Sequence, residues 1–142
     1  MVFKIANNSI FAPVESNPGI KASIIKSRMN ILKKPKTDIA VIGGGSWATA
    51  LVKILSQGDS RVRWSHRNKE KVRYIRRFKH NPTYLSDVHF SNRKVKPDHR
   101  FDKVLKDTKY IFIVVPSAFL PETLDQIDPA LLKGKKIISA VK

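Results

Sequence analysis

The chain has 142 residues, the size of one ordinary domain, and its apolar content of 42% is typical of a single hydrophobic core. It has no cysteine, which excludes disulfides, thiolate metal sites and thiol nucleophiles. No apolar stretch approaches the roughly 18 to 20 residues of a membrane span, and the start lacks the compact apolar core of a secretory signal. We therefore expect no membrane insertion and a cytoplasmic protein.

The first 37 residues mix Asn, Ser, Pro and Lys with scattered apolar positions, and neither a helical nor a strand period persists across them. They predict a mobile N-terminal extension ahead of one domain, residues 38 to 142. Met29 precedes a short basic lead into that domain, so we hypothesise that residues 1 to 28 lie upstream of the true start. Mass spectrometry showing a native N-terminus at Met1 would reject this.

From Asp38 onward the pattern becomes regular. A β-branched run predicts a buried strand, Asp38–Ile42, and three glycines end it. Apolar residues at helical spacing follow up to Gln57, with Gly58 as the stop, and a second strand is predicted at Arg61–Ser65. A basic helix, Lys69–Phe78, then places Val72, Ile75 and Phe78 on one stripe.

The second half predicts further alternation of strands and helices. Asn81-Pro82 marks a turn-rich stretch from residue 80 to residue 97. The remaining predicted elements are a short strand around Arg93–Lys96, a brief helix at Phe101–Lys106, a strand at Tyr110–Val115 ended by Pro116, a helix at about Ala118–Ile127 and a strand at Lys136–Ala140. Alternating strands and helices indicate an α/β fold with a parallel, doubly wound sheet.

The formal net charge of +17 is large enough to attract phosphates, nucleic acids or anionic membranes. Its densest part, Arg61 to Lys79, has nine basic residues against Glu70 alone. Most of these side chains are typical of the solvated face of a basic helix, whereas Arg67 is the main candidate for attracting a phosphorylated ligand. Nucleic-acid binding is not expected.

The strongest functional signal is the sequence Gly43-Gly44-Gly45-Ser46-Trp47-Ala48, a G-x-G-x-x-A pattern between a strand and a helix. Gly43 permits a tight turn, Gly45 lets a pyrophosphate approach the backbone, and Ala48 lets the helix lie close to the strand. A glycine-rich turn can also serve packing alone. The strand before it, the helix after it and the second strand about 20 residues on favour a Rossmann-type dinucleotide site.

The end of the second strand indicates which cofactor is preferred. A carboxylate there would select NAD(H), but this chain has Ser65-His66-Arg67-Asn68. Arg67 can offer a bidentate fork to a 2′-phosphate, with His66 stacking near the adenine or ribose. NADP(H) is therefore favoured and NAD(H) remains open, because Arg67 could instead be an exposed residue of a basic loop.

Five motifs in order resemble the bacterial NAD(P)-dependent glycerol-3-phosphate dehydrogenases. They are Ser46-Trp47, His66-Arg67-Asn68, Asn81-Pro82-Thr83-Tyr84-Leu85, Val114-Val115-Pro116-Ser117 and Ser139-Ala140-Val141-Lys142. One departure is Ala48, where many relatives have Gly. A second is that relatives continue beyond Lys142 into a helical substrate domain, so the resemblance implies an N-terminal domain fragment.

The resemblance implies a role for several residues. Cofactor contacts are implied for Ser46, Trp47, His66, Arg67, Tyr84 and Lys142, and for Phe119 near the nicotinamide. Lys142 is also implied as a substrate contact, although by itself it is only a charged chain end. On the residues alone, Trp47 and Tyr84 are equally consistent with packing. No metal role is expected for His80, His89 or His99, which lack ligand spacing.

The implied reaction is reversible hydride transfer between NAD(P)H and dihydroxyacetone phosphate or sn-glycerol 3-phosphate, feeding glycerophospholipid synthesis. No catalytic residue is expected in this chain, since the general-base lysine of the family lies in the helical domain. The chain alone is therefore expected to bind dinucleotide weakly without turnover, and the full-length protein to form a homodimer. Two alternatives remain: another two-domain dehydrogenase, acting on a hydroxy acid or sugar nucleotide, and a basic nucleic-acid-binding module.

Overall fold

The computed structural model describes residues 38 to 141, so the expected N-terminal extension and Lys142 lie outside the described residues. The five strands are β1 (Asp38–Ile42), β2 (Arg61–Ser65), β3 (Val95–Asp98), β4 (Thr108–Ile113) and β5 (Lys136–Ser139). The helices are α1 (Ser46–Gln57), α2 (Lys69–Phe78), α3 (Phe101–Leu105) and α4 (Leu120–Asp125), with 3-10 turns at Ser117–Phe119 and Pro129–Leu132.

The strands form one parallel sheet in the order β3-β2-β1-β4-β5. From β1 the chain steps outward through β2 to β3 and then returns to β4 on the other side of β1. The winding direction reverses between β1 and β4, which opens a crevice at the carboxyl ends of these strands. The expected Rossmann-type doubly wound sheet is confirmed.

The core lies on both faces of this sheet. Trp64, Val41 and Val52 belong to a buried cluster that includes residues of α1 and α2, whereas Ala40 and Ile42 belong to a second cluster with Leu105. Consecutive residues of β1 thus point into different clusters, as the period of a strand requires. This explains the uninterrupted apolar run of β1.

The predicted boundaries hold best where a cap or glycine marks them. The bounds of β1, β2 and α2 are as predicted, and Asn68 caps α2 by accepting hydrogen bonds from the amides of Glu70 and Lys71. The structure places β3 two residues later than predicted. It begins and ends β4 two residues earlier, because Thr108 pairs with Asp38 across a register irregularity.

Two details of the helices differ from the predictions, the exposure of Phe78 and the division of the helix after β4. Phe78, predicted on the buried stripe of α2, is 46% exposed and packs on Tyr74, with ring centroids 4.5 Å apart. The predicted end of α1 at Gly58 is confirmed, with φ −77° at this glycine. The predicted helix Ala118–Ile127 divides into a 3-10 turn and α4, because Pro121 is tolerated only in the first turn of a helix.

Among residues 38 to 141, no helix has both the length and the apolar character needed to cross a bilayer.

Candidate functional site

The turn after β1 is held between the strands on either side. Gly43 has φ 137°, and a Cβ built there would lie 2.1 Å from the carbonyl oxygen of Val114. Its amide donates to the Ser65 carbonyl (3.2 Å), and its own carbonyl accepts from Nε1 of the fully buried Trp64 (2.6 Å). Both the backbone angle and the space therefore restrict position 43 to glycine.

The start of α1 is open. Gly45 is the N-cap of α1 in an extended conformation, and a Cβ built on it would meet nothing within 4 Å. The N-cap makes no side-chain hydrogen bond, and the first turn of α1 holds no acidic residue. The amide groups of that turn therefore keep their capacity for an anion, which the helix dipole favours.

A cavity of about 330 Å³ adjoins this turn at the carboxyl ends of the strands. It is bounded by the glycine turn, by the residues that follow β2 and by those that follow β4. The sequence-predicted residues that line it are Gly43, Gly45, His66, Arg67, Tyr84 and Phe119. The fold thus brings together six positions that span 77 residues of sequence.

The other predicted residues lie elsewhere. Ser46 and Trp47 line a separate hollow with Leu85, Ala140 and Val141, so they face a different side of the turn from Gly43. Lys142 follows Val141 but lies outside the described residues. In the part of the chain that the structure describes, no cluster of three or more His, Cys, Asp or Glu side chains could hold a metal ion.

His66 is a neutral, buried ring beside the turn. Burial lowers its pKa below the ordinary value of 6.5 and the charge of Lys71 lowers it further, while the Gly44 backbone raises it in part. Nδ1 accepts from the amide of Asn68 (3.4 Å), which leaves the proton of the neutral ring on Nε2. Nε2 has no hydrogen-bond partner among the described residues and lies 2.5 Å from the position of a Gly44 Cβ. Gly44 therefore makes room for the ring, a role that the G-x-G-x-x-A pattern leaves unspecified.

The burial of His66 predicts that the protein loses stability as the pH falls from about 6.5. The unfolded chain takes up a proton on this ring near pH 6.5, whereas the folded chain does so only at lower pH, so protonation favours unfolding in between. The loss is at most about 1.4 kcal/mol per pH unit for one proton. Melting temperatures of the wild type and His66→Gln between pH 7.5 and pH 5 measure it.

The slope of melting temperature against pH should flatten in His66→Gln. The matched control is His89→Gln, which changes an exposed histidine outside the cavity and should keep the wild-type slope. If the slope of melting temperature against pH is the same in the wild type and His66→Gln, the burial of His66 is not the cause of the pH dependence.

Arg67 reaches across the cavity mouth. Its guanidinium lies 5.9 Å from the ring centroid of Phe119, and Nη1 lies 3.4 Å from Oε1 of Glu122 at the start of α4. Both charged side chains are mostly exposed, so this ion pair adds little stability. A ligand between the β2 and β4 sides can therefore displace it at small cost.

The basic residues of the stretch Arg61 to Lys79 separate into groups with different surroundings. Arg61 and Arg63 bind Asp38 at the amino ends of the strands (3.1 and 2.8 Å), far from the crevice. Arg67 and Lys71 line the cavity. Lys71 was missed by sequence reasoning, and the available signal was its place in the first turn of the helix that follows His66.

Arg76 supports β3 rather than the cavity. It binds Asp98 through Nη2 (2.8 Å). Burial would raise the pKa of Asp98, but hydrogen bonds and charge from Arg100, together with the hydrogen bond from Arg76, hold that pKa below its ordinary value. The backbone carbonyl of Asp98 accepts from the His66 amide (3.0 Å), so the end of β3 anchors the residue that follows β2.

A parallel sheet wound to both sides of β1, with a side-chain-free turn and an uncapped helix at its crevice, defines the Rossmann class of dinucleotide-binding domain. Residues 38 to 142 match the family model described as the NAD-dependent glycerol-3-phosphate dehydrogenase N-terminus. The chain belongs to this family, which confirms the recognition made from its motifs. The cofactor of the family is a nicotinamide dinucleotide.

Known relatives share this name. A glycerol-3-phosphate dehydrogenase [NAD(P)+] of Psychrobacter cryohalolentis is 29% identical over 99% of this chain and 33% of its own length. The enzyme of the same name from Azotobacter vinelandii is 36% identical over 73% of this chain and 30% of its own length. A crystal structure of glycerol-3-phosphate dehydrogenase from Coxiella burnetii, 26% identical, superimposes with a TM-score of 0.63 over 77% of this chain and 33% of that one. The chain thus spans about a third of the length of these relatives.

Proposed function

We propose that this chain is the dinucleotide-binding part of an enzyme that transfers a hydride between NAD(P)H and dihydroxyacetone phosphate or sn-glycerol 3-phosphate. In the reducing direction this reaction supplies sn-glycerol 3-phosphate for glycerophospholipid synthesis. The names of the relatives support the reaction. The single observation that carries dinucleotide binding is Gly45, which faces open space at the uncapped start of α1.

The residues present fit such a cofactor. The turn at Gly45 and the first amides of α1 would hold the pyrophosphate, because no Cβ stands between them and the crevice. Arg67 and Lys71 would hold a 2′-phosphate on the β2 side. When bound, the cofactor supplies the hydride chemistry, and this domain orients it.

For Phe119 we propose a place in the site other than the one that the resemblance implies. The resemblance implied a contact near the nicotinamide, but the ring lies 5.9 Å from the guanidinium of Arg67, which we assign to the adenosine end. We therefore place Phe119 at the adenosine end, where an adenine could lie between its ring and the guanidinium. We assign Ser46 and Trp47, which line a hollow with Val141, to the nicotinamide end of the cofactor. The resemblance implies the same end for Lys142.

None of the cavity residues is assigned as the base that takes a proton from a secondary alcohol. His66 is held neutral, with its free lone pair engaged by the Asn68 amide, and cannot serve without rearrangement. We expect the 142-residue chain to bind dinucleotide and to show negligible turnover.

Isothermal titration calorimetry with NADPH and NADH, run beside an assay of sn-glycerol 3-phosphate oxidation, tests the proposed function. Failure to bind either dinucleotide by a chain shown to be folded would overturn the proposed binding function. Substantial oxidation by the chain alone would overturn the assignment of the base to another region. Salt-sensitive RNA or DNA binding that NADPH does not affect would favour the nucleic-acid module instead.

Arg67→Gln is expected to raise the Kd for NADPH by about 10- to 100-fold, because a hydrogen bond to a charged group contributes about 1.5 to 3 kcal/mol. The Kd for NADH, which lacks the 2′-phosphate, should change by no more than about threefold. Calorimetric titration of both dinucleotides measures the two effects.

Arg73→Gln is the matched control for this prediction. It removes the same charge from an exposed position of α2 that does not line the cavity, and should affect both dinucleotides little. An equal loss of NADPH and NADH affinity in Arg67→Gln would show that Arg67 does not distinguish the phosphate.

A further inference from the structure

A buried hydrogen-bonded bridge connects the glycine turn to the loop that carries Tyr84. Thr49, on the first turns of α1, donates from its hydroxyl to the Gly45 carbonyl (2.8 Å). The same hydroxyl accepts from Nδ2 of Asn81 (2.9 Å). Thr49 and Asn81 are both fully buried.

The other end of Asn81 holds the loop. Its Oδ1 accepts from the amides of Thr83 (2.9 Å) and Tyr84 (3.4 Å). One side chain therefore donates toward the turn and accepts from the loop. An amide is suited to this position because it carries a donor and an acceptor without a charge.

Near Tyr84 the loop is irregular, with one turn closed by the bond from the Val88 amide to the Leu85 carbonyl (2.9 Å). No helix or strand lies between Phe78 and Val95, and the Tyr84 side chain is exposed at the cavity wall. The bond from the Phe90 amide to the Lys79 carbonyl (2.6 Å) ties the loop at a distance from Tyr84. The Lys53 ammonium also ties the loop to α1 through the His89 carbonyl (2.9 Å), whereas Asn81 joins the Tyr84 end of the loop to the glycine turn.

We propose that Asn81 is a positioning residue of the dinucleotide site, which acts through Thr49 to fix the Tyr84 loop against the glycine turn. The inference rests on the proposed function, since it concerns the affinity of the same site. Asn81 bonds to the loop and to α1, and it does not line the cavity. Removing the bridge leaves the cavity lining chemically intact but lets the Tyr84 side move relative to the turn.

Thr49→Val, which keeps the shape and removes the hydroxyl, is expected to raise the Kd for NADPH by about tenfold, which corresponds to about 1.4 kcal/mol. Asn81→Ala should raise the Kd by at least as much, because it also removes the acceptor of the Thr83 and Tyr84 amides. Thr49→Ser, which keeps the hydroxyl, should recover most of the affinity that Thr49→Val loses. Calorimetric titration at a temperature where every variant is folded gives these values.

Thr108→Val separates positioning from general loss of stability. Thr108 is also buried and donates from its hydroxyl to a backbone carbonyl, that of Leu105 (2.8 Å), but it lies at the amino end of β4. Thr108→Val and Thr49→Val should lower the melting temperature comparably. Only Thr49→Val should weaken NADPH binding.

A double-mutant cycle with Tyr84→Ala tests the route of the effect. If Asn81 acts through Tyr84, Asn81→Ala should lose most of its effect on Kd in the Tyr84→Ala background. Two results would show that the positioning role is wrong, provided that the wild type binds NADPH. One is an equal Kd for NADPH in Thr49→Val and the wild type, and the other is an equal rise of this Kd in Thr108→Val and Thr49→Val. If the folded wild type binds no dinucleotide, the proposed function fails instead.

Discussion

Gly43→Ala is expected to destabilise the protein by about 3 to 5 kcal/mol, which is a large fraction of the stability of a domain this size. The new Cβ would lie 2.1 Å from the Val114 carbonyl oxygen and 2.8 Å from its carbon, and backbone atoms of a packed sheet cannot move away cheaply. The φ of 137° adds strain that only glycine avoids. Urea unfolding followed by circular dichroism measures the loss.

Gly58→Ala adds the same methyl group where the structure accepts it. Gly58 has φ −77°, and a Cβ there would touch only the Leu55 carbonyl oxygen at 3.9 Å. The free energy of unfolding should stay the same or rise by about 0.4 to 1 kcal/mol, since alanine restricts the unfolded chain. Equal stability of Gly43→Ala and the wild type would show that the turn differs from the one described.

Gly45→Val is expected to weaken NADPH and NADH binding by at least about 100-fold while the protein stays folded. The extended backbone at Gly45 suits a β-branched residue, and its side-chain direction is open space. The valine would occupy the space through which the pyrophosphate approaches the α1 amides. Losing one or two charge-assisted hydrogen bonds at about 1.5 to 3 kcal/mol each accounts for the factor.

Gly45→Ala provides an intermediate step in size and should weaken binding less than Gly45→Val. Both variants should melt within a few degrees of the wild type, in contrast to Gly43→Ala. If Gly45→Val binds NADPH and NADH with the wild-type Kd, the pyrophosphate does not approach the turn at this residue.

The sequence predicts the first half of the fold well because its signals are local. The apolar run of β1, the glycines after it and the Asn68 cap of α2 each act within a few residues. The amino end of β4 is set instead by pairing with Asp38, so the polar pair Thr108-Lys109 gives no strand signal of its own. Phe78 was misassigned because an apolar residue at helical spacing can also pack on its own helix.

In the candidate site, too, features that depend on neighbouring residues could be predicted, and features that depend on residues distant in sequence could not. The roles of Gly43 and Gly45 in the turn follow from short-range geometry and could be predicted from their spacing. The proximity of Arg67 to Phe119, 52 positions apart, depends on β2 and β4 flanking β1 and on the lengths of the loops. Likewise, nothing in the motif containing Asn81 shows that its amide reaches Thr49 in a helix 32 residues earlier.

The indole of Trp64, bonded to the Gly43 carbonyl, gives the molecule an optical reporter of its own turn. This ring is fully buried, whereas Trp47, the other tryptophan of the chain, is 48% exposed on the far side of the same turn. The two fluorophores therefore sense different events. We expect iodide to quench Trp47 in the folded protein, and we expect the blue-shifted emission of Trp64 to persist until the turn itself unfolds.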